Sequence, residues 1–385
     1  MTRRHPSNAI VTVPRSGIRV VFDEAARYPD CIRLEVGEPS FDTPEHIKRA
    51  AHAAIDDNWT KYASNAGHPD LRAAIADKLR VRNGITAAAD DVIVANGGVA
   101  GIFTALASMA NPGDEVLIPD PSWPNYVQMT LLLNARPVHY PLRLEHDLVP
   151  AVADIEALIT DRTRVLVVNS PGNPSGAVIP AERLQELYDL ARRHDLWVIS
   201  DEVYDEIYVD EPPTSMRPID HDDRVVSAFT FSKTYAMTGW RIGYIVGPES
   251  IISHILRAQE PTVSCINSIS QRAALAALLG PQDCVAEMRA AYAARSRLVS
   301  SILDQHGLRY STPRGAFYTM VDISPSGIDD LSFVRRLVAE RRVAVAPGTA
   351  FGPESGRYVR VSLASDDDTL RSGVSRLAAA VGDWS

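Results

Sequence analysis

The chain has 385 residues, 45% hydrophobic and 23% charged, which is typical of a globular protein too long for one simple core. Its formal net charge of −9 argues against a nucleic-acid-binding surface, because phosphate neutralisation needs clustered Lys and Arg. No run of about 18 consecutive apolar residues is present, so no membrane span is expected.

The first 40 residues are predicted to be irregular because of their dispersed prolines, Pro6, Pro14, Pro29 and Pro39. The opening MTRRHPSN carries two arginines without an apolar run behind them, so no secretory signal is expected. A first helix is predicted to begin with Thr43 as its N-cap and Pro44 in its first turn. A second is predicted to run from Pro69 to Arg82.

Strands and helices alternate through the middle of the chain. The predicted strands lie in DVIVAN, DEVLIPDP, RVLVVN, LWVIS and VVSAFTF, and helices are predicted over 99–110 and in PAERLQELYDLARRHD. The runs VLVV and WVIS are continuously apolar, as strands covered on both faces are. The alternation predicts an α/β fold with a largely parallel sheet.

The pattern changes near residue 280. A long helix is predicted from Met288 to His306 and another from Leu331 to Arg341, with strands in GAFYTMVDIS, VAVAPG and YVRVSLA. We therefore expect a large domain over 41–280 and a smaller α+β domain over 281–385. The N-terminal segment 1–40 is expected to pack on the smaller domain.

Polar and aromatic side chains follow the predicted strands where they end. In chain order these are Gly97 and Gly98, which open a helix, then Trp123, Asn173, Asp201 with Tyr204, and Lys233. Ligands of open α/β sheets bind outside the carboxyl ends of the strands. We therefore expect these residues to line one crevice.

The residue types suit the parts of pyridoxal 5'-phosphate. A helix N-terminus and Arg241 can hold its phosphate, and Lys233 can form a Schiff base if burial and nearby charge lower its pKa.

Other residues of this set suit the pyridine ring of the same cofactor. Asp201 can keep the pyridine nitrogen protonated. Asn173 and Tyr204 can hydrogen-bond its phenolic oxygen, and Trp123 can stack on its face.

The segments SDEVY, NSPGNPSG and FSKTYAMTGWRIGY resemble the class I/II aminotransferases, which are fold-type I pyridoxal-phosphate enzymes. VGEPSFDTPEHI, KYASNAGHPDLRAAIA, PRGAFYTMVDI and YVRVSLA match in the same order, so the resemblance covers nearly the whole chain. It implies a mostly parallel seven-stranded sheet. It also implies transfer of the amino group of an L-α-amino acid to a 2-oxo acid through a Schiff base on Lys233 and pyridoxamine phosphate, with Asp201 and Tyr204 as further catalytic residues.

The resemblance assigns further roles. The cofactor would be held by Gly98, Val99, Ala100, Trp123, Asn173, Asp201, Tyr204, Thr230, Ser232, Lys233 and Arg241. Tyr62 would reach the phosphate bound by the other subunit of a homodimer with shared active sites, with Asn267 and Ser268 near that interface. The substrate would contact Gly37, Asn173 and Arg360, with Ile18 lining the side-chain pocket.

One position departs from the family pattern. Val99 and Ala100 stand where the family often has Ser, Thr or Lys, so the backbone N–H groups remain but side-chain contacts are lost. Thr230 and Ser232 could replace those contacts. The change weighs against a dedicated aspartate enzyme, and an apolar wall at Ile18 would favour neutral side chains. Arg19 could instead meet an acidic one.

Two alternatives remain beside an aminotransferase. The first is a β- or γ-eliminating lyase or synthase, which would need the same residues in contact with the cofactor. The second is a non-catalytic cofactor-binding regulator, which would usually carry an added DNA-binding segment. Cys31, Cys265 and Cys284 show no paired or metal-ligand spacing, which predicts reduced thiols in a cytoplasmic protein without a metal site.

Overall fold

The computed structural model describes residues 6–14 and 17–384. Residues 1–5 of the expected N-terminal segment, with the MTRR start, and positions 15, 16 and 385 lie outside the described residues. The strands are β1 (Ile32–Arg33), β2 (Val92–Ala95), β3 (Glu115–Asp120), β4 (Arg136–Pro141), β5 (Thr163–Asn169), β6 (Trp197–Asp201), β7 (Val225–Thr230), β8 (Gly243–Val246), β9 (Tyr318–Asp322), β10 (Val343–Ala344), β11 (Ala346–Pro347) and β12 (Tyr358–Ser362).

The helices lie mostly between these strands. They are α1 (Asn8–Thr12), α2 (Gly17–Ala25), α3 (Glu45–Asp56), α4 (Pro69–Arg82), α5 (Gly97–Met109), α6 (Asn125–Leu132), α7 (Val152–Glu156), α8 (Ala181–Arg193), α9 (Phe231–Thr234), α10 (Glu249–Val263), α11 (Ser268–Leu279), α12 (Asp283–Gln305), α13 (Asp330–Arg336) and α14 (Asp367–Asp383). Among the residues the structure describes, no helix is both long and apolar enough to cross a bilayer.

The central sheet has seven strands in the order β2-β8-β7-β6-β5-β3-β4, and β8 alone runs antiparallel to its neighbours. This confirms the predicted α/β fold with a mostly parallel sheet. Side chains alternate between two cores, since Val165 and Val167 pack with α5 and α10 whereas Leu166 and Val168 pack with α8. Both faces are therefore covered, which explains the continuously apolar runs.

A second, three-stranded antiparallel sheet has the order β11-β12-β9. Its core includes side chains from α12 and α14, and also Val21, Ala25 and Leu34 from the N-terminal segment. A parallel pairing of β1 with β10 adds to this contact. The stretch from Val21 to Leu34 thus packs against the C-terminal part of the chain, whereas α1 contacts α6.

The N-terminal segment is less irregular than expected. Helix α2 forms because Pro14 and Pro29 lie outside it, while Val21 and Ala25 bury one face. The helix predicted at Thr43 begins at Glu45 instead. The Thr43 hydroxyl does not cap it, because it donates to the carbonyl of Ala236 at 2.7 Å and accepts from the Trp240 indole at 3.0 Å.

Candidate active site

The carboxyl ends of β5, β6 and β7 deliver polar residues to one edge of the central sheet. The register places Asn169 directly beside Asp201, and the Asn169 amide donates to the Asp201 carbonyl at 3.0 Å. Strand β7 ends at Thr230, and the one-turn helix α9 then carries Lys233. These residues open onto a cavity of about 610 Å³.

Most of the predicted site residues line this cavity. They are Ile18, Gly37, Gly98, Val99, Trp123, Asn173, Asp201, Tyr204, Thr230, Ser232, Lys233, Arg241 and Arg360. The structure does not bring Ala100 or Tyr62 to it. Ala100 is the fourth residue of α5, beyond the N–H groups that a helix start leaves free, and Tyr62 is 92% exposed.

Lys233 is held at the cavity by a short local structure. The Thr230 hydroxyl accepts from the Ser232 N–H at 3.2 Å and caps the turn on which the lysine stands. The Lys233 amine donates to the Gly37 carbonyl at 2.9 Å. Burial lowers the pKa of Lys233 to about 8, against the opposing charge of Glu38. The amine therefore exchanges a proton within reach of neutral pH.

Gly37 is required by close packing at this point. A Cβ on residue 37 would lie 2.1 Å from the hydroxyl oxygen of Tyr318. That hydroxyl is 3.1 Å from the Tyr204 hydroxyl, and the two rings meet edge to face. A side chain at position 37 would displace the tyrosine pair next to the Lys233 amine.

Asp201 is a buried carboxylate with spare accepting capacity. It is 3% exposed, accepts from the Tyr126 hydroxyl and accepts from the Val203 N–H at 3.3 Å. Burial raises its pKa to about 6, although both hydrogen bonds and Lys233 act in the opposite direction. A carboxyl with this pKa is mostly ionised at neutral pH and can accept from a cationic N–H.

An anion-binding corner lies at the start of α5. Gly97 has φ +77°, and a Cβ there would lie 2.6 Å from an Arg241 guanidinium nitrogen. The close approach brings a cation to free N–H groups of the first helical turn. The hydroxyls of Thr230 and Ser232, 2.9 Å apart, also line the cavity. This combination is suited to a phosphate.

Arg360 provides a second cationic site. It is 3% exposed, and it donates to the Asn173 side-chain oxygen at 3.0 Å and to the Glu35 carbonyl at 2.5 Å. Its guanidinium lies 4.4 Å from the Tyr318 ring centre. The buried Nε has no hydrogen-bond partner within the described part of the chain. A planar donor with unused capacity suits a carboxylate.

Three residues beside the predicted ones were given no role from sequence. Tyr126 donates to Asp201, Tyr318 meets Tyr204, and Asn169 accepts from the Asn173 N–H at 2.8 Å. Asn169 ends one predicted strand and Tyr126 follows another, so both could have been given a role from their positions. Tyr318 belongs to β9, and only the tertiary structure brings it to the cavity.

Comparison with known proteins agrees with this geometry. The model of the family "Aminotransferase class I and II" matches residues 29–377. An aspartate aminotransferase of Pyrococcus horikoshii is 35% identical over 97% of this chain and 96% of its own length. Aromatic-amino-acid aminotransferase 2 of Thermococcus litoralis is 36% identical over 96% of this chain and 97% of its own length.

A solved structure of Thermus thermophilus aspartate aminotransferase with maleate has the same fold. It superposes with a TM-score of 0.93 at 35% identity, covering 98% of this chain and 100% of the other. The family match at residues 29–377 spans both sheets and the lining residues of the cavity except Ile18, Arg19 and Phe22. The chain therefore belongs to the class I and II aminotransferase family, and it is an aminotransferase of the fold-type I architecture.

Proposed function

We propose that the chain transfers the amino group of an L-α-amino acid to a 2-oxo acid with pyridoxal 5'-phosphate as its cofactor. The observation that supports this most directly is the meeting of Lys233, Asp201 and Arg360 around one cavity. They stand on three different elements, β6, α9 and β12, and each offers a different charge or proton function. The family to which the chain belongs uses this cofactor.

The donor set fits the cofactor. A phosphate would be held at the first turn of α5, where Gly97 lets the Arg241 guanidinium come close. The hydroxyls of Thr230 and Ser232 lie at the same place. Asp201 offers a carboxylate for a protonated ring nitrogen, and the Lys233 amine, which lines the same cavity, would bond the aldehyde carbon. Trp123, Asn173 and Tyr204 also line the cavity and would contact the ring and its phenolic oxygen.

When bound, the cofactor supplies an electron sink for charge that develops at the substrate Cα. Lys233 moves the proton, because an amine with a pKa of about 8 can both accept and return one near neutral pH. Asp201 would stabilise positive charge at the ring nitrogen through its carboxylate, which is mostly ionised at neutral pH. Arg360 orients the substrate by its α-carboxylate, and Asn173 in turn fixes the guanidinium plane.

Arg360→Lys is expected to lower kcat/KM by about 10- to 100-fold, mainly through KM, because an ammonium cannot replace a planar bidentate donor. The measurement is steady-state kinetics with the amino acid and with the corresponding amine that lacks the carboxylate. The ratio of kcat/KM for the amino acid to kcat/KM for the amine should be smaller in the variant than in the wild type. Arg357→Lys is the matched control, since Arg357 is half exposed and donates to Tyr358 instead. Equal losses in both variants would contradict the assignment.

The reaction products test the proposed amino transfer against the eliminating reaction that the sequence alone left open. We expect a single turnover with an amino acid to leave the cofactor in its amino form and to release one keto acid, without ammonia. Adding a 2-oxo acid should then restore the aldehyde form. Release of ammonia without any acceptor would contradict the proposed amino transfer.

We also propose a homodimer in which Tyr62 reaches the phosphate site of the other subunit. Tyr62 is 92% exposed and lies outside its own chain's cavity. The Ser268 hydroxyl donates to the Lys61 carbonyl at 3.1 Å, which holds the neighbouring backbone in place. The free thiols Cys31, Cys265 and Cys284 support a reducing, cytoplasmic location.

The division into a large domain over 41–280 and a smaller one over 281–385 is also a proposal. It is supported by the separate sheets and by the core that α12 and α14 share with Leu34.

A further inference from the structure

Asp120 is a buried carboxylate that the proposed function does not use. It is the last residue of β3, it is 2% exposed, and it does not line the cavity. One of its oxygens accepts from the Glu354 N–H at 3.1 Å, and the other accepts from the Ser355 hydroxyl at 2.9 Å. A strand end of the central sheet is thus joined to a turn 234 positions further along the chain.

Two further observations show that the same two segments meet closely. The Ser122 N–H donates to the Phe351 carbonyl at 2.8 Å. A Cβ on Gly352 would overlap with the Asp120 carboxylate, so glycine at this position allows the approach. The three hydrogen bonds and this close backbone contact together form what we call the Asp120 junction.

Each side of the Asp120 junction leads directly to a wall of the cavity. On one side the chain continues from Ser122 to Trp123, which lines the cavity and would stack on the cofactor ring. On the other side the Phe351 ring packs against Arg360, with 4.7 Å between the ring centre and the guanidinium carbon. The junction therefore connects the group that would contact the ring to the group that would hold the substrate carboxylate.

The two walls have no hydrophobic core in common that would fix their spacing. Val116 and Ile118 of β3 pack in one core, whereas Val359 and Val361 of β12 pack in another. Buried hydrogen bonds that join two such bodies are costly to lose, because the N–H and hydroxyl donors would be left without partners. The relative position of the two walls thus depends on the junction.

We infer that Asp120 is a positioning residue for amino transfer, which holds Arg360 at a fixed distance from the wall formed by Trp123. The inference rests on the proposed function, since it concerns how the carboxylate of that substrate is placed against the cofactor. Asp120 acts through Phe351 on one side and through Ser122 on the other. Reaction rates depend steeply on such placement, and a displacement of about 1 Å can cost about 100-fold.

Asp120→Ala removes both acceptors, and kcat/KM for the amino acid should fall by about 10- to 100-fold, mainly through KM. Rates are expressed per active site, counted as the borohydride-reduced adduct, so that a loss of folded protein does not enter the result. For the amine that lacks the carboxylate, kcat/KM should change by less than about twofold, because this substrate does not use Arg360. Equal losses for the two substrates overturn the inference.

Asp120→Asn is the conservative variant and should restore most of the lost kcat/KM. Its amide oxygen can accept from the Glu354 N–H, while its NH2 group can donate to the Ser355 hydroxyl. Absence of this rescue overturns the inference. If Asp120→Ala does not fold, Ser355→Ala removes a single hydrogen bond of the junction and should give a loss of about threefold, again for the amino acid only.

Asp322→Ala is the matched control. Asp322 is 3% exposed and accepts from the N–H of Ser324 at 3.0 Å and from its hydroxyl at 2.6 Å, but both residues lie at the same end of β9. This variant should lower the free energy of unfolding and leave the ratio of the two kcat/KM values unchanged. A change in that ratio as large as in Asp120→Ala overturns the inference.

A double-mutant cycle tests whether Asp120 acts through Arg360. In the Arg360→Lys background, Asp120→Ala should change kcat/KM for the amino acid by less than about twofold, because residues that act through one another are not additive. Losses that add in full would show that Asp120 acts independently of Arg360, which overturns the inference.

Hydrogen exchange of the cofactor-loaded protein without substrate tests the junction apart from activity. The amide hydrogens of Ser122 and Glu354 should exchange at least about tenfold faster in Asp120→Ala than in the wild type, and at the wild-type rate in Asp322→Ala. If the wild type reacts with no amino acid, the proposed function fails, while unchanged exchange in Asp120→Ala would by itself overturn the inference. If amino transfer proceeds and Asp120→Ala leaves it unaltered, the proposed function stands and the inference fails.

Discussion

Replacing Lys233 by alanine is expected to lower the rate of amino transfer by at least about 1,000-fold, because the variant loses both the covalent partner of the cofactor and the group that moves the proton. The amine is the nitrogen that donates to Gly37, and its lowered pKa depends on the buried site. The measurement pairs single-turnover kinetics with borohydride reduction of the loaded protein. Mass spectrometry should place the reduced adduct on residue 233 of the wild type and nowhere in the variant.

Lys48→Ala is the control for this experiment. Lys48 is a partly exposed lysine on α3 whose amine lies 3.0 Å from the Glu45 carboxylate, and its loss should change neither rate nor adduct. An adduct that remains in Lys233→Ala, or turnover at the wild-type rate, would show that another amine carries the cofactor.

Asp201→Asn is expected to lower the rate by about 100- to 1,000-fold, because the amide can no longer hold positive charge at the ring nitrogen. The Tyr126 hydroxyl can still donate to the amide oxygen, so the local geometry should change little. Loaded wild type and variant are compared in single turnovers with the same amino acid. Glu202→Gln is the control, since this neighbouring buried carboxylate accepts from Ser200 and Ser227 and does not line the cavity.

The same substitution should stabilise the cofactor-free protein. The pKa of Asp201 is about 6 in the folded chain against an ordinary 3.8, so the folded state binds this proton more tightly. Protonation of Asp201 therefore adds to the free energy of unfolding below about pH 4, and this stabilisation is lost as the pH rises through 6. At pH 7 the ionised group opposes folding, and Asp201→Asn should raise the free energy of unfolding by about 1–3 kcal/mol.

Urea unfolding of the cofactor-free proteins at pH 7 and at pH 4 measures this difference. The variant should have the higher free energy of unfolding at pH 7. The difference from the wild type should shrink toward pH 4, where the wild-type carboxyl is protonated. A gain of the same size at both pH values would mean that ionisation of Asp201 is not its cause.

The central sheet and most of the cavity could be predicted from the sequence because both depend on local pattern. The continuously apolar runs mark buried strands, and parallel direction then collects Asn173, Asp201 and Lys233 at one edge. Gly97 and Gly98 likewise mark a helix start near that edge.

Features that depend on tertiary contacts could not be predicted in this way. Strand β8 inserts antiparallel between β2 and β7, and nothing in its four residues indicates direction. The hydrogen bond from Tyr126 to Asp201 joins positions 75 apart. Helix α2 was overlooked because its burial is confined to Val21 and Ala25, and the nearby prolines indicated irregular structure.

Arg360 joins parts of the chain that are far apart in sequence. Its guanidinium donates to Glu35, 325 positions away, and to Asn173, 187 positions away. A carboxylate ligand bound to this guanidinium would raise the stability of the folded chain by mass action. The free energy of unfolding should therefore rise with substrate concentration. The bound carboxylate would stabilise the contacts by which Arg360 joins the N-terminal segment, the central sheet and the three-stranded sheet.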